Sequence, residues 1–283
     1  MSYLEAILLG IVQGITEFLP ISSDGHLLIV EHWLGRKVDN VAINVALHAG
    51  TLLSIVVYFF RDLLEALRKP RLIVAIVVAT LPLIPLGLFG KRIIDETLNT
   101  TTAAGAGLLV TAAFLFLATR LKEGTRTLDE ITPLDGLVVG LFQVLAPAPG
   151  VSRSGSTILG GLLRGMTRDA AARFAFLIAV PAISGALVLY SRKLLKGEDG
   201  EALALGPLAV GAGVSFVVGI AAIRVLMAMV IKMKLAIFAW YCLILGSAVL
   251  IMSLTSPGAT HSPGESPAPA VQQMAAPPAD SGS

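Results

Sequence analysis

The chain has 283 residues, of which 55% are hydrophobic and only 14% are charged, and its mean hydropathy is +0.82. A soluble domain rarely has this composition, and a formal net charge of +2 is too small to indicate nucleic-acid binding. We therefore predict an all-α polytopic membrane protein, because several apolar runs approach the ~20 residues that cross a hydrocarbon core.

Six apolar runs are long enough to cross a bilayer. They lie at about residues 42–60, 72–90, 103–120, 170–190, 207–230 and 235–254. Two other segments, at about 3–40 and 134–166, are interrupted by proline, glycine and polar residues, and we predict that they are broken and re-entrant. The single cysteine, Cys242, lies in an apolar run and is expected in the core. The first residues lack the pattern of a removable signal peptide.

Lysine and arginine predict the orientation. The loop at 61–71 and the turn at 231–234 are basic and are expected on the cytoplasmic side. Residues 256–283 are rich in serine, proline and alanine without any lysine or arginine, so we expect a disordered tail on the outer side. The membrane domain is then 1–255, followed by this tail.

The chain repeats itself weakly. A shift of 130 residues superimposes five positions of the two broken segments: Gly10 on Gly140, Gln13 on Gln143, Ile21 on Val151, Ser22 on Ser152 and Gly25 on Gly155. Three spans separate the copies, about 1–120 and 134–254, so the copies should have opposite orientations. We therefore predict an inverted-topology repeat with six spanning helices and two broken re-entrant segments.

The first broken segment contains the stretch QGITEFLPISSDGH, residues 13–26. Gln13 and Glu17 are four residues apart and share a helix face, and Pro20 should end that helix. The following turn carries further polar candidates, namely Ser22, Ser23, Asp24, Gly25 and His26. Ionisable groups at membrane depth are costly and usually functional, so this stretch indicates a site.

The second broken segment contains PGVSRSGST, residues 149–157. A glycine- and hydroxyl-rich loop that runs into a helix N-terminus suits an anion, because the free N–H groups and the helix dipole both point at it. Arg153 adds a planar fork that matches phosphate oxygens. The other candidates for substrate binding here are Gly150, Ser152, Ser154 and Thr157. An anion loop, an arginine, a hydroxyl, a histidine and a carboxylate together suggest phosphoryl transfer.

These two stretches resemble the undecaprenyl pyrophosphate phosphatase family, the bacitracin-resistance integral membrane phosphatases. The family's first motif is a glutamate or glutamine, three residues, a glutamate, then FLP and SS-x-GH, and its second is PG-x-SRS-x-x-T. Here they read QGITEFLPISSDGH and PGVSRSGST, and the resemblance extends over roughly residues 1–254. The tail lies outside it.

The resemblance implies hydrolysis of undecaprenyl pyrophosphate to undecaprenyl phosphate, which recycles the lipid carrier of peptidoglycan synthesis, in the bacterial inner membrane with the active site facing outward. It implies catalytic roles for Glu17, Ser23, His26 and Arg153. Supporting roles fall to Ser22, Ser152 and Thr157. A divalent cation, magnesium or calcium, is implied near Glu17, with Gln13 as a weaker ligand because it is the neutral variant of an acidic position. A homodimer is left open.

The chemistry at the site also has alternatives at this stage. Ser23 attacks the terminal phosphorus while His26 or Glu17 takes its proton, or His26 is the nucleophile, or water attacks directly. Asp24 is interpreted as a turn residue. We interpret His48, Arg61 and Arg92 as helix-end or interfacial anchors.

Two other functions compete with the phosphatase. Inverted repeats with broken helices are typical of transporters, so a transporter or flippase of a phosphorylated lipid is the first alternative. The second is a lipid phosphatase resembling the type 2 phosphatidic acid phosphatases, which carry a histidine and an aspartate after their Ser-Arg segment. No histidine follows Arg153 before His261, which argues against that class.

Overall fold

The computed structural model describes residues 2–34, 41–90, 97–196, 205–232 and 234–255. These residues form twelve α-helices and no named strand: α1 Tyr3–Thr16, α2 Ser23–Leu34, α3 Val41–Tyr58, α4 Phe60–Leu67, α5 Pro70–Thr80, α6 Leu83–Pro85, α7 Thr101–Arg120, α8 Pro133–Gln143, α9 Arg153–Leu163, α10 Arg168–Leu195, α11 Leu205–Ile231 and α12 Leu235–Thr255. Arg92 and the predicted tail at 256–283 lie outside the described residues.

Six helical segments are long and apolar enough to cross a membrane. They are Val41–Tyr58, Pro70–Gly90, Thr101–Arg120, Arg168–Arg192, Leu205–Ile231 and Leu235–Thr255. They confirm the six predicted spans, and the chain is a multi-pass membrane protein. The second span is irregular: α5 and α6 are followed by a π-helical turn, Leu86–Gly90.

The two broken segments are each a pair of short helices. α1 and α2 are separated by the turn at 17–22, and α8 and α9 are separated by the loop at 144–152. α2 begins at Ser23 and α9 at Arg153, which is the offset of 130 residues predicted from the sequence. Each segment therefore presents a helix N-terminus at its break.

Glycines let the first helix of each broken segment lie directly on a spanning helix. A Cβ added to Gly10 would be 2.7 Å from the Gly211 carbonyl oxygen of α11. A Cβ added to Gly140 would be 2.5 Å from the Ala79 carbonyl oxygen of α5. Because real side chains do not tolerate these distances, the small residues allow α1 to pack on α11 and α8 on α5.

Corresponding helices of the two halves run antiparallel. Gly105 contacts Gly246, whereas Phe116, later in α7, contacts Trp240, which is earlier in α12. α3 and α10 behave in the same way, since His48 lies against Tyr190 and Phe59 against Phe176. Each pair places one helix of the first half beside its partner of the second half in the opposite direction.

α3 and α11, in contrast, run parallel. Gly50 lies against Ala212, and the Ser54 hydroxyl donates to the Phe216 carbonyl oxygen at 2.8 Å. Their C-terminal ends lead into the basic loop at 61–71 and the basic turn at 231–234, so both lie on one side of the protein. This agrees with the prediction that both face the same compartment. The expected core position of Cys242 is also confirmed, because its side chain is buried.

Candidate active site

The breaks of the two re-entrant segments meet each other. A Cβ added to Gly25 would be 2.9 Å from the Gly150 Cα, and one added to Gly155 would be 3.3 Å from the Pro20 Cβ. Subtracting 130 from Gly150 and Gly155 gives positions 20 and 25, so the two contacts exchange under the repeat offset. The N-termini of α2 and α9 consequently converge on one region of the protein.

The turns that start these two helices adopt unusual backbone conformations. Ser22 has a φ of 68° and Gly150 a φ of 85°, both in the left-handed region. The Ser22 hydroxyl accepts from the Gly25 N–H at 3.4 Å, and the Ser152 hydroxyl accepts from the Gly155 N–H at 3.2 Å. The serines therefore cap the first turns of α2 and α9, and a strained non-glycine residue such as Ser22 is typical of functional sites.

Glu17 connects the two segments. Its Oε1 lies 2.6 Å from Arg153 Nη2 of α9. Its Oε2 accepts from the Ser23 hydroxyl at 2.9 Å and from Gln13 Nε2 at 3.1 Å. The carboxylate is only 7% exposed, and Gln13 is fully buried. Three of the predicted catalytic residues, Glu17, Ser23 and Arg153, thus form one hydrogen-bonded group.

Arg153 retains donor capacity beyond its contact with Glu17. Among the described residues its Nη1 is buried and has no hydrogen-bond partner. The loop that precedes it is held by Thr111 of α7, whose hydroxyl donates to the Gly150 carbonyl oxygen at 2.7 Å and accepts from the Ser152 N–H at 2.9 Å. Thr111 was not singled out from the sequence, since one threonine in an apolar run carries no signal.

His48 lies in the site, which corrects its interpretation as a helix-end anchor. It is in the middle of α3, where its Nδ1 lies 3.0 Å from the Asn44 carbonyl oxygen. Its Nε2 is 3.5 Å from Gln13 Nε2 and 3.9 Å from Glu17 Oε2. The anchor interpretation failed because the sequence does not reveal that α3 passes beside the first broken segment.

His26 faces a different direction from the other predicted catalytic residues. Its Nδ1 lies 2.7 Å from the Ser22 carbonyl oxygen, and its Nε2 lies 2.7 Å from the Tyr241 hydroxyl. The imidazole stacks on the Tyr241 ring at a centroid distance of 5.7 Å. Both ring nitrogens are therefore engaged away from Ser23, and in this arrangement His26 supports the turn at Ser22.

The remaining predicted binding residues fall into two groups. Ser22 and Ser152 lie on the cavity wall, whereas Ser154 and Thr157 lie behind it. The Ser154 hydroxyl is 3.2 Å from the Ser152 hydroxyl, and Thr157 donates to the Arg153 carbonyl oxygen at 2.8 Å. Of the two predicted glycines, Gly150 would place a Cβ 2.1 Å from a backbone oxygen of α7. Close backbone approach therefore accounts for it, as for Gly25.

A cavity of about 510 Å³ opens in front of the hydrogen-bonded group. Its polar end is lined by Glu17, Ser23, Asp24, His48 and Arg153. Most of its other walls are apolar and come from the irregular second span and from α10. Such a cavity suits a ligand with a charged head and an apolar body.

The predicted divalent cation can be tested against these contacts. Among the described residues no three histidine, cysteine, aspartate or glutamate side chains form a group that could hold a metal ion. Both oxygens of Glu17 already have partners, whereas Gln13 Oε1 is buried and has none. The residues therefore do not fit a resident cation held by protein ligands alone. They are compatible with a cation that arrives bound to phosphate oxygens.

Residues 6–248 match the family described as Bacitracin resistance protein BacA. The chain belongs to this family. It is 42% identical to an undecaprenyl-diphosphatase of Rhodopirellula baltica over 253 residues, which cover 89% of this chain and 98% of the relative. It is 38% identical to an undecaprenyl-diphosphatase of Alkaliphilus metalliredigens over 275 residues, covering 90% and 100%.

Membership in the BacA family confirms the resemblance inferred from the two motifs. The matched region contains both broken segments and all six spanning segments. It also contains the residues that sequence reasoning missed, namely His48, Thr111 and Tyr241. The cavity and its polar end thus lie within the part of the chain that defines the family.

Proposed function

We propose that this chain hydrolyses undecaprenyl pyrophosphate to undecaprenyl phosphate and inorganic phosphate, and so recycles a lipid carrier of cell-wall synthesis. One observation carries the proposal: Glu17 holds both the hydroxyl of Ser23 and the guanidinium of Arg153 at the polar end of a cavity with apolar walls. A nucleophile, a proton acceptor and a phosphate ligand are then in one place. The names of the BacA relatives support the same reaction.

The first step in this proposal is exchange of partners at Arg153. In the absence of substrate the guanidinium is neutralised by Glu17. A pyrophosphate offers more negative charge and bidentate oxygens, so it competes for the guanidinium. Nη1, which lacks a partner among the described residues, is a donor for it. The convergent N-termini of α2 and α9 add N–H groups and favourable dipoles.

The chemical step follows from the Ser23–Glu17 hydrogen bond. The Ser23 hydroxyl attacks the terminal phosphorus, the bond from that phosphorus to the bridging oxygen breaks, and undecaprenyl phosphate leaves. The hydroxyl proton passes to Glu17 Oε2, which already accepts from it at 2.9 Å. Water then hydrolyses the phosphoserine and restores Ser23. We favour Glu17 over His26 as the acceptor because both nitrogens of His26 have other partners.

A divalent cation stays part of the proposal only as a companion of the substrate. Phosphate oxygens would supply most of its ligands, and Glu17 and Gln13 Oε1 are the protein atoms that would complete them. It would neutralise charge on the phosphates. We route no step through it.

We further propose that the protein lies in the bacterial inner membrane as an inverted repeat, with the site open to the outer side. The antiparallel pairs α7–α12 and α3–α10 and the exchanged contacts Gly25–Gly150 and Pro20–Gly155 support the repeat. The basic loops on one side support the orientation.

Phosphate release by the purified protein in detergent tests the proposed function. We expect release from undecaprenyl pyrophosphate by the natural chain and almost none by Ser23→Ala, with a chelator showing whether a cation takes part. A transporter needs a gradient across a membrane and would release no phosphate in detergent. Absence of phosphate release by the natural protein, with and without added magnesium or calcium, would contradict the proposal.

A further inference from the structure

The cavity does not end at its polar head. It continues between two spanning segments, the irregular stretch at 83–90 and the part of α10 at 181–189. One wall presents Leu83, Ile84 and Leu88, and the other presents Ile183, Ala186 and Leu189. We call this apolar continuation the lateral slot.

The lateral slot reaches the surface that the spanning helices turn toward the bilayer. Leu88 is 60% exposed and Val188, beside Leu189, is 55% exposed, although both belong to spanning segments. Large apolar side chains that are exposed on spanning helices face hydrocarbon rather than water. The slot therefore joins the polar end of the cavity to the lipid phase.

Small residues keep the lateral slot open. A Cβ added to Gly185 of α10 would meet no atom within 4 Å, and one added to Gly87 would meet only Leu189 Cδ1, at 3.8 Å. Both glycines line the cavity, one on each wall. Neither is needed for a close helix contact, unlike Gly10 or Gly140, so the space beside them is left for something else.

Both walls of the slot are also irregular helices. Pro82 and Pro85 precede the π-helical turn Leu86–Gly90, and Pro181 lies inside α10. Proline removes a backbone donor and disturbs the helix before it, and single π-helical turns often lie at functional sites. Two regular helices would pack together more closely than these two do.

We propose that the lateral slot binds the prenyl chain next to the pyrophosphate and leads it into the bilayer, and that Gly185 and Gly87 set the width for it. This inference rests on the proposed function and adds where the chain lies. A prenyl chain is uncharged and carries methyl branches, so it gains from apolar walls and leaves no hydrogen-bonding group unsatisfied. Inorganic pyrophosphate alone would have no use for the slot.

The test compares a long and a short substrate on variants of the slot. Gly185→Leu should lower kcat/KM for undecaprenyl pyrophosphate by at least about tenfold, because the added side chain fills the path of the chain, and should change it less than about twofold for geranyl pyrophosphate. Gly87→Leu, from the opposite wall, should give the same dependence on chain length. Leucine favours helix more than glycine, so neither change should prevent folding.

Gly213→Leu is the matched control. Gly213 lies on α11, its added Cβ would also meet nothing within 4 Å, and it does not line the cavity. This variant should hydrolyse both substrates like the natural protein. Equal losses on both substrates for Gly185→Leu, or no loss on either, would overturn the inference. If the natural protein releases phosphate from neither substrate, the proposed function itself fails.

Discussion

Arg153 Nη2 lies 2.6 Å from Glu17 Oε1, although the two residues are 136 positions apart. Their side chains are 18% and 7% exposed, so this is a largely desolvated ion pair between the two broken segments. Such pairs contribute little net stability, because desolvation offsets the attraction. We infer that the pair is kept for chemistry: a pyrophosphate takes the place of the carboxylate at Arg153 and leaves Glu17 beside Ser23.

Replacing Arg153 should nearly abolish turnover. Arg153→Ala removes the guanidinium, and Arg153→Lys supplies only a point charge, so both should lower kcat/KM by at least about a hundredfold. Phosphate release in detergent measures the loss. Arg61→Ala is the control, because Arg61 is an exposed arginine of α4 and should be dispensable. Near-natural activity of Arg153→Lys would remove the bidentate role.

Glu17 should matter far more than Gln13. Glu17→Gln removes the only carboxylate that contacts Ser23, and we expect a loss of about a thousandfold in kcat. Gln13→Glu places a second carboxylate beside the first, so its activity should be retained only with a divalent cation and should fall more steeply with chelator. An inactive Gln13→Glu together with a tolerated Glu17→Gln would contradict this assignment.

His26 should act through the turn at Ser22. His26→Ala loses the hydrogen bonds to the Ser22 carbonyl and to Tyr241 as well as the ring stacking. We expect activity and Tm to fall together, with a smaller loss of both for Tyr241→Phe. Ser23→Ala, in comparison, should lose activity with little change in Tm. If His26→Ala is inactive with a natural Tm, the imidazole takes part in the chemistry.

Asp135 should make the stability of the second broken segment depend on pH. It lies at the start of α8, outside the six spans, and accepts from Arg126 at 2.9 Å and from Arg164 at 2.7 Å. Burial alone would raise the pKa of Asp135, but hydrogen bonds from Arg126, Thr132 and Arg164 outweigh it and lower the pKa below its usual value. Its contribution is therefore present above the ordinary carboxyl pKa and is lost as the pH falls.

The corresponding experiment is Tm against pH for Asp135→Asn. The variant should lose about 3 kcal/mol at neutral pH, because two arginines lose their buried partner. The difference from the natural protein should narrow below a pH of about 4, where the carboxyl of the unfolded chain takes up a proton. Asp129→Asn, at an exposed pair with Lys69, should change little. A constant difference across this pH range would contradict the role of the charge.

Much of the fold could be predicted because it depends on local properties. Length and hydropathy identified the six spans, and the offset of 130 residues placed the starts of α2 and α9 at Ser23 and Arg153. The contacts of His48 and Tyr241 could not be predicted in this way. Tyr241 is 215 positions from His26, and only the packing of α12 near α2 brings them together.

Motif resemblance identified Glu17, Ser23 and Arg153 but could not show how their atoms are shared. Nothing local to Gln13 indicates that it lies between Glu17 and His48. In the same way, no local signal separates Ser152, on the cavity wall, from Thr157 behind it. These differences depend on the angle at which α9 enters the site.

A double-variant comparison of Ser23 and Arg153 tests the central claim most directly. The claim is that residues of the two broken segments act on one phosphate, and groups that act as a unit have strongly non-additive effects. Single-turnover phosphate release from undecaprenyl pyrophosphate should be about as slow for the Ser23→Ala/Arg153→Ala double variant as for the slower single variant, within about threefold. Losses that multiply in the double variant would show that the two residues act independently, and would contradict a shared active site.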